Sequence, residues 1–156
     1  MGNGKNFENK ISKGLQKITN KELGFFIKSP TPMQMIPTEE GYTMTYANKA
    51  LCDFIGIYQG KFILIEAKEI SGTRFEFRRL KDHQIQQLSA IKKYGGYAWI
   101  FFNLIKLKKV VAVPIDNYLI SLNQSTKKSI NIDTLNEIGY EIELANLIEF
   151  FNQEVN

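Results

Sequence analysis

The sequence predicts an α/β protein in which a mixed β-sheet is flanked by helices. Three observations carry that expectation. Apolar residues at helical spacing alternate along the chain with short stretches rich in Ile, Val, Phe and Trp, in the order helix, strands, helix, strands, helices. The run Phe62-Ile63-Leu64-Ile65 is apolar at both parities, as in a strand covered on both faces. A chain of 156 residues, 44% hydrophobic and 23% charged, is large enough for one real core and has an ordinary globular composition. Residues 1–156 therefore read as a single domain.

The first element is a helix over residues 5–19, because Phe7, Ile11, Leu15 and Ile18 recur at helical spacing while Lys10, Lys13 and Lys17 fill the other side. Glu8 stands at the border of the apolar stripe, where its plainest role is an acid in the first turn favoured by the helix dipole. A short strand follows at 23–28, and Pro30 and Pro32 then force an extended passage. Residues 33–49, with Pro37, Gly41 and several Thr and Tyr, predict two short strands about a turn at Glu39-Glu40-Gly41. Residues 51–68 read as two strands joined at Gln59-Gly60.

Residues 69–79 form a polar, basic connection in which Arg74, Arg78 and Arg79 alternate with Phe75 and Phe77. Arginine offers bidentate contacts to phosphate and an aromatic ring can stack on an unpaired base, but an edge strand with its Phe rings inward and its arginines in solvent explains the two Phe better. A helix over 82–94 has Asp82 as its cap, Ile85, Leu88 and Ile91 as its buried stripe, and Gly95-Gly96 at its end. His83 and Gln84 fall in its first turn, where open backbone N–H groups welcome a phosphate; an ordinary surface histidine fits the place equally well. Strands at 97–104 and 109–114 follow, with Lys106, Lys108 and Lys109 marking the turn between them. A short helix at 115–122, a loop at 124–129 and an amphipathic helix at 145–153 complete the chain.

No apolar run approaches the roughly 18 residues needed to span a bilayer, and no charged-then-apolar leader precedes the first helix, so a soluble intracellular protein without a membrane partner is expected. Cys52 is the single cysteine and His83 the single histidine, which excludes an internal disulfide and ordinary zinc clusters. A metal in this chain must be held by oxygen. The net charge of +4 is unevenly spread: residues 1–111 hold 18 Lys/Arg against 9 Asp/Glu, while residues 112–156 hold 2 against 7. A basic body with an acidic tail fits a polyanionic partner met by the first part, although lysines also serve as a solubilising surface.

The chemistry concentrates in residues 51–68. Glu66 and Lys68 are two apart on a strand and project to the same face. A carboxylate and an ammonium thus share one side of an otherwise apolar strand, where charge is costly unless it is paired or bound to a metal. If the hairpin brings Asp53 alongside, two carboxylates can hold a hard divalent cation while the ammonium stands beside it. Such a group suits water attack on a phosphodiester, with the lysine stabilising charge or orienting the nucleophile.

Asp53…Glu66-Ala67-Lys68 resembles the PD-(D/E)xK nuclease signature, and its surroundings resemble one family within it. Lys28 to Gln34 (KSPTPMQ), the hairpin DFIGIYQGKFILIEAKE and Leu80 to Gln84 (LKDHQ) run in the order found in the RecU family of Holliday junction resolvases, over roughly residues 4–104. The resemblance implies a restriction-endonuclease-like core and a Mg2+-dependent endodeoxyribonuclease, with Mn2+ able to substitute, that cuts four-way DNA junctions to leave 5′-phosphates. It implies Asp53 and Glu66 as metal ligands, Lys68 as the assisting lysine, and Glu8, in a segment similar to the family's N-terminal motif Gly4-Lys5-Asn6-Phe7-Glu8, at the metal site. Lys5, Arg74, Arg78, Arg79, His83 and Gln84 are the expected DNA contacts. It further implies a C2 homodimer, since paired cuts in a two-fold symmetric junction need two active sites, and a place beside cytoplasmic DNA, whether nucleoid or viral. Two departures stand out. Residues 33–49, where the family carries a stalk that inserts into branched DNA, are short and hold only one basic residue, Lys49. Cys52 replaces the Thr usual before the metal-binding Asp, and a buried structural thiol is its simplest role. Two other readings remain open: a nuclease of this fold acting on other branched or duplex DNA, and a protein that binds branched DNA without cutting it.

Overall fold

The computed structural model of the chain describes residues 3–30, 33–46 and 51–155. Helix α1 (Asn3–Asn20) leads into strand β1 (Gly24–Lys28), the hairpin β2 (Met33–Thr38) and β3 (Gly41–Tyr46), and a second hairpin of β4 (Phe54–Tyr58) and β5 (Lys61–Ile70). A short strand β6 (Arg74–Glu76) and a 3-10 turn precede helix α2 (Asp82–Lys93). Strands β7 (Tyr97–Leu104) and β8 (Lys109–Pro114), helix α3 (Ile115–Gln124), strand β9 (Ser129–Asn131), helix α4 (Ile132–Ile138), strand β10 (Tyr140–Ile142) and helix α5 (Leu147–Glu154) complete it.

The principal sheet has six strands in the order β1-β4-β5-β7-β8-β10. Strands β5 and β7 are parallel and the other pairs antiparallel, so the sheet is mixed as expected. The crossover from β5 to β7 passes through α2, as a parallel connection requires. Each face has its own core. Phe7, Ile11, Leu15 and Ile18 of α1 and Leu147, Phe150 and Phe151 of α5 pack with Ile63, Ile65, Trp99 and Phe101 on one side. Leu88 of α2, Tyr118 of α3 and Leu135 of α4 pack with Leu64, Ile70, Ile100 and Phe102 on the other. The doubly apolar run on β5 is thus divided by parity between two layers, except that Phe62 at its start remains 37% exposed. Glu66 and Lys68 share the parity of Leu64 and Ile70, which directs them to the α2 layer.

The turn between β4 and β5 has positive φ at Gln59 (49°) and Gly60 (75°), the two-residue geometry whose twist matches that of the flanking strands. Register through it is tight: a Cβ on Gly56 would lie 2.5 Å from the Phe25 carbonyl oxygen across β1. Hairpin β2–β3 forms a separate two-stranded sheet whose turn holds Glu39, Glu40 and Gly41, as the sequence suggests. Met35, Tyr42 and Met44 stand exposed on it. Pro32 and Lys49 lie outside the described residues.

Three expectations need correction, and three elements were not expected. Lys81, not Asp82, is the cap of α2, because the Gln84 side chain reaches back to accept the Lys81 backbone N–H at 2.9 Å. Strand β5 runs on to Ile70, two residues past Lys68, since its pairing with β7 continues to Leu104. Glu8 sits beyond the first turn of α1, which begins at Asn3, so the helix dipole does not account for it. Strand β9, helix α4 and strand β10 have no counterpart in the sequence reading; Asn131 caps α4 by accepting the Asp133 N–H.

Candidate active site

Strand pairing assembles the site. Phe54 lies opposite Ile65 in the β4–β5 ladder, and extending that register by one residue sets Asp53 against Glu66. The backbone N–H of Asp53 donates to Glu66 Oε2 at 3.2 Å, and the N–H of Ala67 donates to Asp53 Oδ2 at 2.8 Å. Lys68 Nζ lies 3.1 Å from Glu66 Oε1. The structure therefore brings Asp53, Glu66 and Lys68 together on the face covered by α2.

Glu66 is the one charged residue counted as buried among the described residues, at 3% exposure. Burying a carboxylate is costly unless its oxygens are engaged. Besides Lys68 and the Asp53 N–H, Gln84 Nε2 donates to Glu66 Oε1 at 2.7 Å. Gln84 thereby spans from the cap of α2 to the carboxylate. One turn further, Gln87 Oε1 accepts the backbone N–H of Cys52 at 2.9 Å, and the Ser29 N–H donates to the carbonyl of Asp53 at 2.8 Å. The segment carrying Asp53 is held from α2, β1 and β5 at once.

This arrangement crowds negative charge. Burial, and then the neighbouring Glu66, push the Asp53 carboxyl up to about 7; the Ala67 hydrogen bond and Lys68 oppose the rise, while Glu8 adds to it. Burial and the same two carboxylates also push the Cys52 thiol up, so the fully buried sulfur stays protonated and its role is packing. Glu8 comes near enough to act on Asp53 electrostatically, but its own partner is Lys28, whose Nζ lies 2.8 Å from Glu8 Oε2.

The expected DNA contacts are distributed differently. Lys5 is an exposed residue of the first turns of α1. Arg74 is tied to Ser129, donating to its hydroxyl at 2.7 Å and its carbonyl at 2.8 Å, and Arg78 is an exposed residue paired with Glu76. The Arg79 guanidinium lies 5.0 Å from the Phe75 ring centre and donates to the carbonyl of Glu69, next to Lys68. Phe75 is fully buried, in keeping with the edge-strand reading. His83 is half-buried in the first turn of α2, whereas Gln84 faces Glu66. Sequence reasoning missed Gln87 and Lys28. Gln87 shares a helix face with Gln84 by its three-residue spacing, which was the available signal; Lys28 opens the KSPTPMQ stretch, but nothing local assigns it Glu8 as a partner.

The donor set fits a hard, oxygen-seeking cation. Two carboxylates converge, one of them drawn toward protonation by burial and by the charge of the other, and neither the lone histidine nor the buried thiol competes. Among the described residues no set of three or more His, Cys, Asp or Glu side chains is grouped to hold a metal ion. Two carboxylates match Mg2+, which characteristically keeps waters and takes further oxygens from substrate phosphate.

A family model described as "Recombination protein U" matches residues 2–153. A protein of Mycoplasmopsis pulmonis named Holliday junction resolvase RecU is 33% identical over 139 residues, covering 84% of this chain and 83% of its own length. One of the same name from Lactococcus lactis is 29% identical over 150 residues, covering 90% of this chain and 70% of its own. Among solved structures, that of Archaeoglobus fulgidus Hjc, a Holliday junction resolvase from an archaeal hyperthermophile, superposes with a TM-score of 0.52 over 89% of this chain and 98% of the other. At 15% identity that likeness establishes the fold, a restriction-endonuclease-like one.

Proposed function

The chain belongs to the RecU family, and from that premise we propose that it is a metal-dependent endonuclease that resolves four-way DNA junctions by paired phosphodiester hydrolysis. The observation that carries the reading is the hydrogen-bonded joining of Asp53 to Glu66 with Lys68 on the same face. Asp53 and Glu66 would hold Mg2+, or Mn2+ in its place, which when bound activates water and neutralises charge developing on the scissile phosphate. Water adds to phosphorus as the bond to the 3′ oxygen breaks, leaving a 5′-phosphate and a 3′-hydroxyl. Lys68 orients the water or steadies the developing charge. Gln84 holds Glu66 in place, and Glu8 with Lys28 borders the site on the α1 side. Lys5, Arg74, Arg78, Arg79 and His83 are the proposed DNA contacts; for Gln84 the bond to Glu66 favours positioning over a phosphate contact.

A C2 homodimer would supply the two active sites that paired cuts require. Phe25, Ile27 and Ile57 support this: cross-strand neighbours on β1 and β4, they leave an apolar sheet face 48–61% exposed. A DNA substrate places the protein inside the cell, and among the described residues no helix is long and apolar enough to cross a membrane.

Asp53→Ala or Glu66→Ala is expected to abolish junction cleavage while leaving junction binding largely intact. Wild-type cleavage by either variant would remove the assigned chemistry. A second reading, action on other branched or duplex DNA, is favoured by hairpin β2–β3, whose turn presents two glutamates where a phosphate-gripping stalk needs cations. Cleavage of a mobile four-way junction compared with linear DNA of the same sequence separates the two. Failure of both Mg2+ and Mn2+ to support cutting would leave a protein that binds branched DNA only.

A further inference from the structure

The acidic C-terminal part of the chain, residues 112–156, contains only two basic residues, Lys127 and Lys128, side by side. The fold removes them from their acidic surroundings. Strand β9 pairs antiparallel with β6, Arg74 against Asn131 and Glu76 against Ser129, and the Phe77 N–H donates to the Lys128 carbonyl at 3.0 Å. The two lysines thus come to lie beside the arginine stretch 74–79. Together with Arg78 they line an open cleft of about 710 Å3. Both are exposed, and among the described residues neither is paired with a carboxylate. Counting Arg74 and Arg79, this ribbon carries five cations against one acid, Glu76.

The ribbon is also fixed relative to the chemistry. Phe75 and Ile130 sit in the same core as Leu64, Ile70 and Leu88 on the α2 face of the sheet, and Arg79 bonds to the carbonyl of Glu69, one residue from Lys68. Cations bound into the fold have little reach of their own, whereas unpaired lysines at a rigid turn present charge at a set distance from the site. The turn itself is held, since Ser125 Oγ accepts the Lys127 N–H at 3.1 Å.

We propose that the β6–β9 ribbon is a landing surface for the phosphates of a duplex arm entering the active site, with Lys127 and Lys128 as its phosphate contacts. The inference rests on the reading of the protein as a junction endonuclease and extends its DNA contacts from Arg74, Arg78 and Arg79 across the ribbon to two lysines from far along the chain. Phosphate contacts displace condensed counterions, so they declare themselves in the salt dependence of binding.

The test is junction binding by Lys127→Ala/Lys128→Ala across a series of salt concentrations, beside wild type and the control Lys92→Ala/Lys93→Ala. The control removes the same charge from the far end of α2, where the two lysines lie over Tyr97 and Tyr94. The expected result is weaker binding by the first variant, with the slope of log K against log salt reduced by about 2, near one for each lysine that no longer neutralises a phosphate. An affinity and slope no different from the control overturn this inference alone. A wild-type protein that binds no junction overturns the junction reading and this inference together.

Discussion

Asp53 is asked to be an anion in a place that disfavours one. Its carboxyl is pushed up to about 7, against an ordinary value of 3.8, by burial and by Glu66. A carboxyl whose folded value is raised binds more protons folded than unfolded, so between those two values the metal-free protein loses stability as pH rises. The melting temperature of metal-free protein should therefore fall between about pH 4 and about pH 7. Asp53→Asn should flatten that fall and melt higher than wild type at the alkaline end, while its junction cleavage should be lost. Mg2+ should raise the melting temperature more at the alkaline end than at the acid end, because proton and cation compete for the same oxygens. An Asp53→Asn protein with the wild-type slope would show that the crowding of carboxylates is not its source. At Gln84 the bond to a buried carboxylate belongs to the class worth about 1.5–3 kcal/mol. Gln84→Leu should lower stability by that order and raise the Mg2+ concentration for half-maximal cleavage. An unchanged Mn2+ affinity in calorimetry would rule out the positioning role.

Among the elements, the β1–β4–β5 register sets the site, and Gly56 is its most constrained point. Gly56→Ala would drive a methyl to 2.4 Å from the Phe26 ring and 2.5 Å from the Phe25 carbonyl oxygen. Overpacking of this kind typically costs about 1–3 kcal/mol, so a drop in the urea midpoint of that order is expected, with loss of cleavage following from the displaced Asp53. The elements legible in the sequence are those whose periodicity runs long enough to register: α1, with four core residues at helical spacing, and β5 and β7, with runs buried on both faces. Strand β9, helix α4 and strand β10 are three, seven and three residues long, too short for a period to declare itself, and their placement depends on partners far along the chain. The site divides in the same way. Asp53, Glu66 and Lys68 were legible because strand parity and one hairpin place them. Gln87 was not, because its partner is a backbone N–H 35 residues away, and Lys81 as cap depends on a side chain three residues downstream.

At the scale of the whole molecule, the sheet has two unlike edges. Strand β1 presents five residues beside the apolar face of Phe25, Ile27 and Ile57. Wild type should sediment as a dimer and Phe25→Asp/Ile57→Asp as a monomer, and the variant should convert paired junction cuts into single nicks. A variant still dimeric would move the seam elsewhere. Strand β10, at the opposite edge, is three residues long with Glu141 at its centre and Glu143 just after it. Short, charged edges discourage further strand pairing. That inequality decides how copies can stack. Joining one molecule's β1 to the next molecule's β10 would leave an open edge at each end and, short of closing into a ring, grow a fibre, but the acids guard that route. Joining like to like about a two-fold axis uses up both open borders and stops at two.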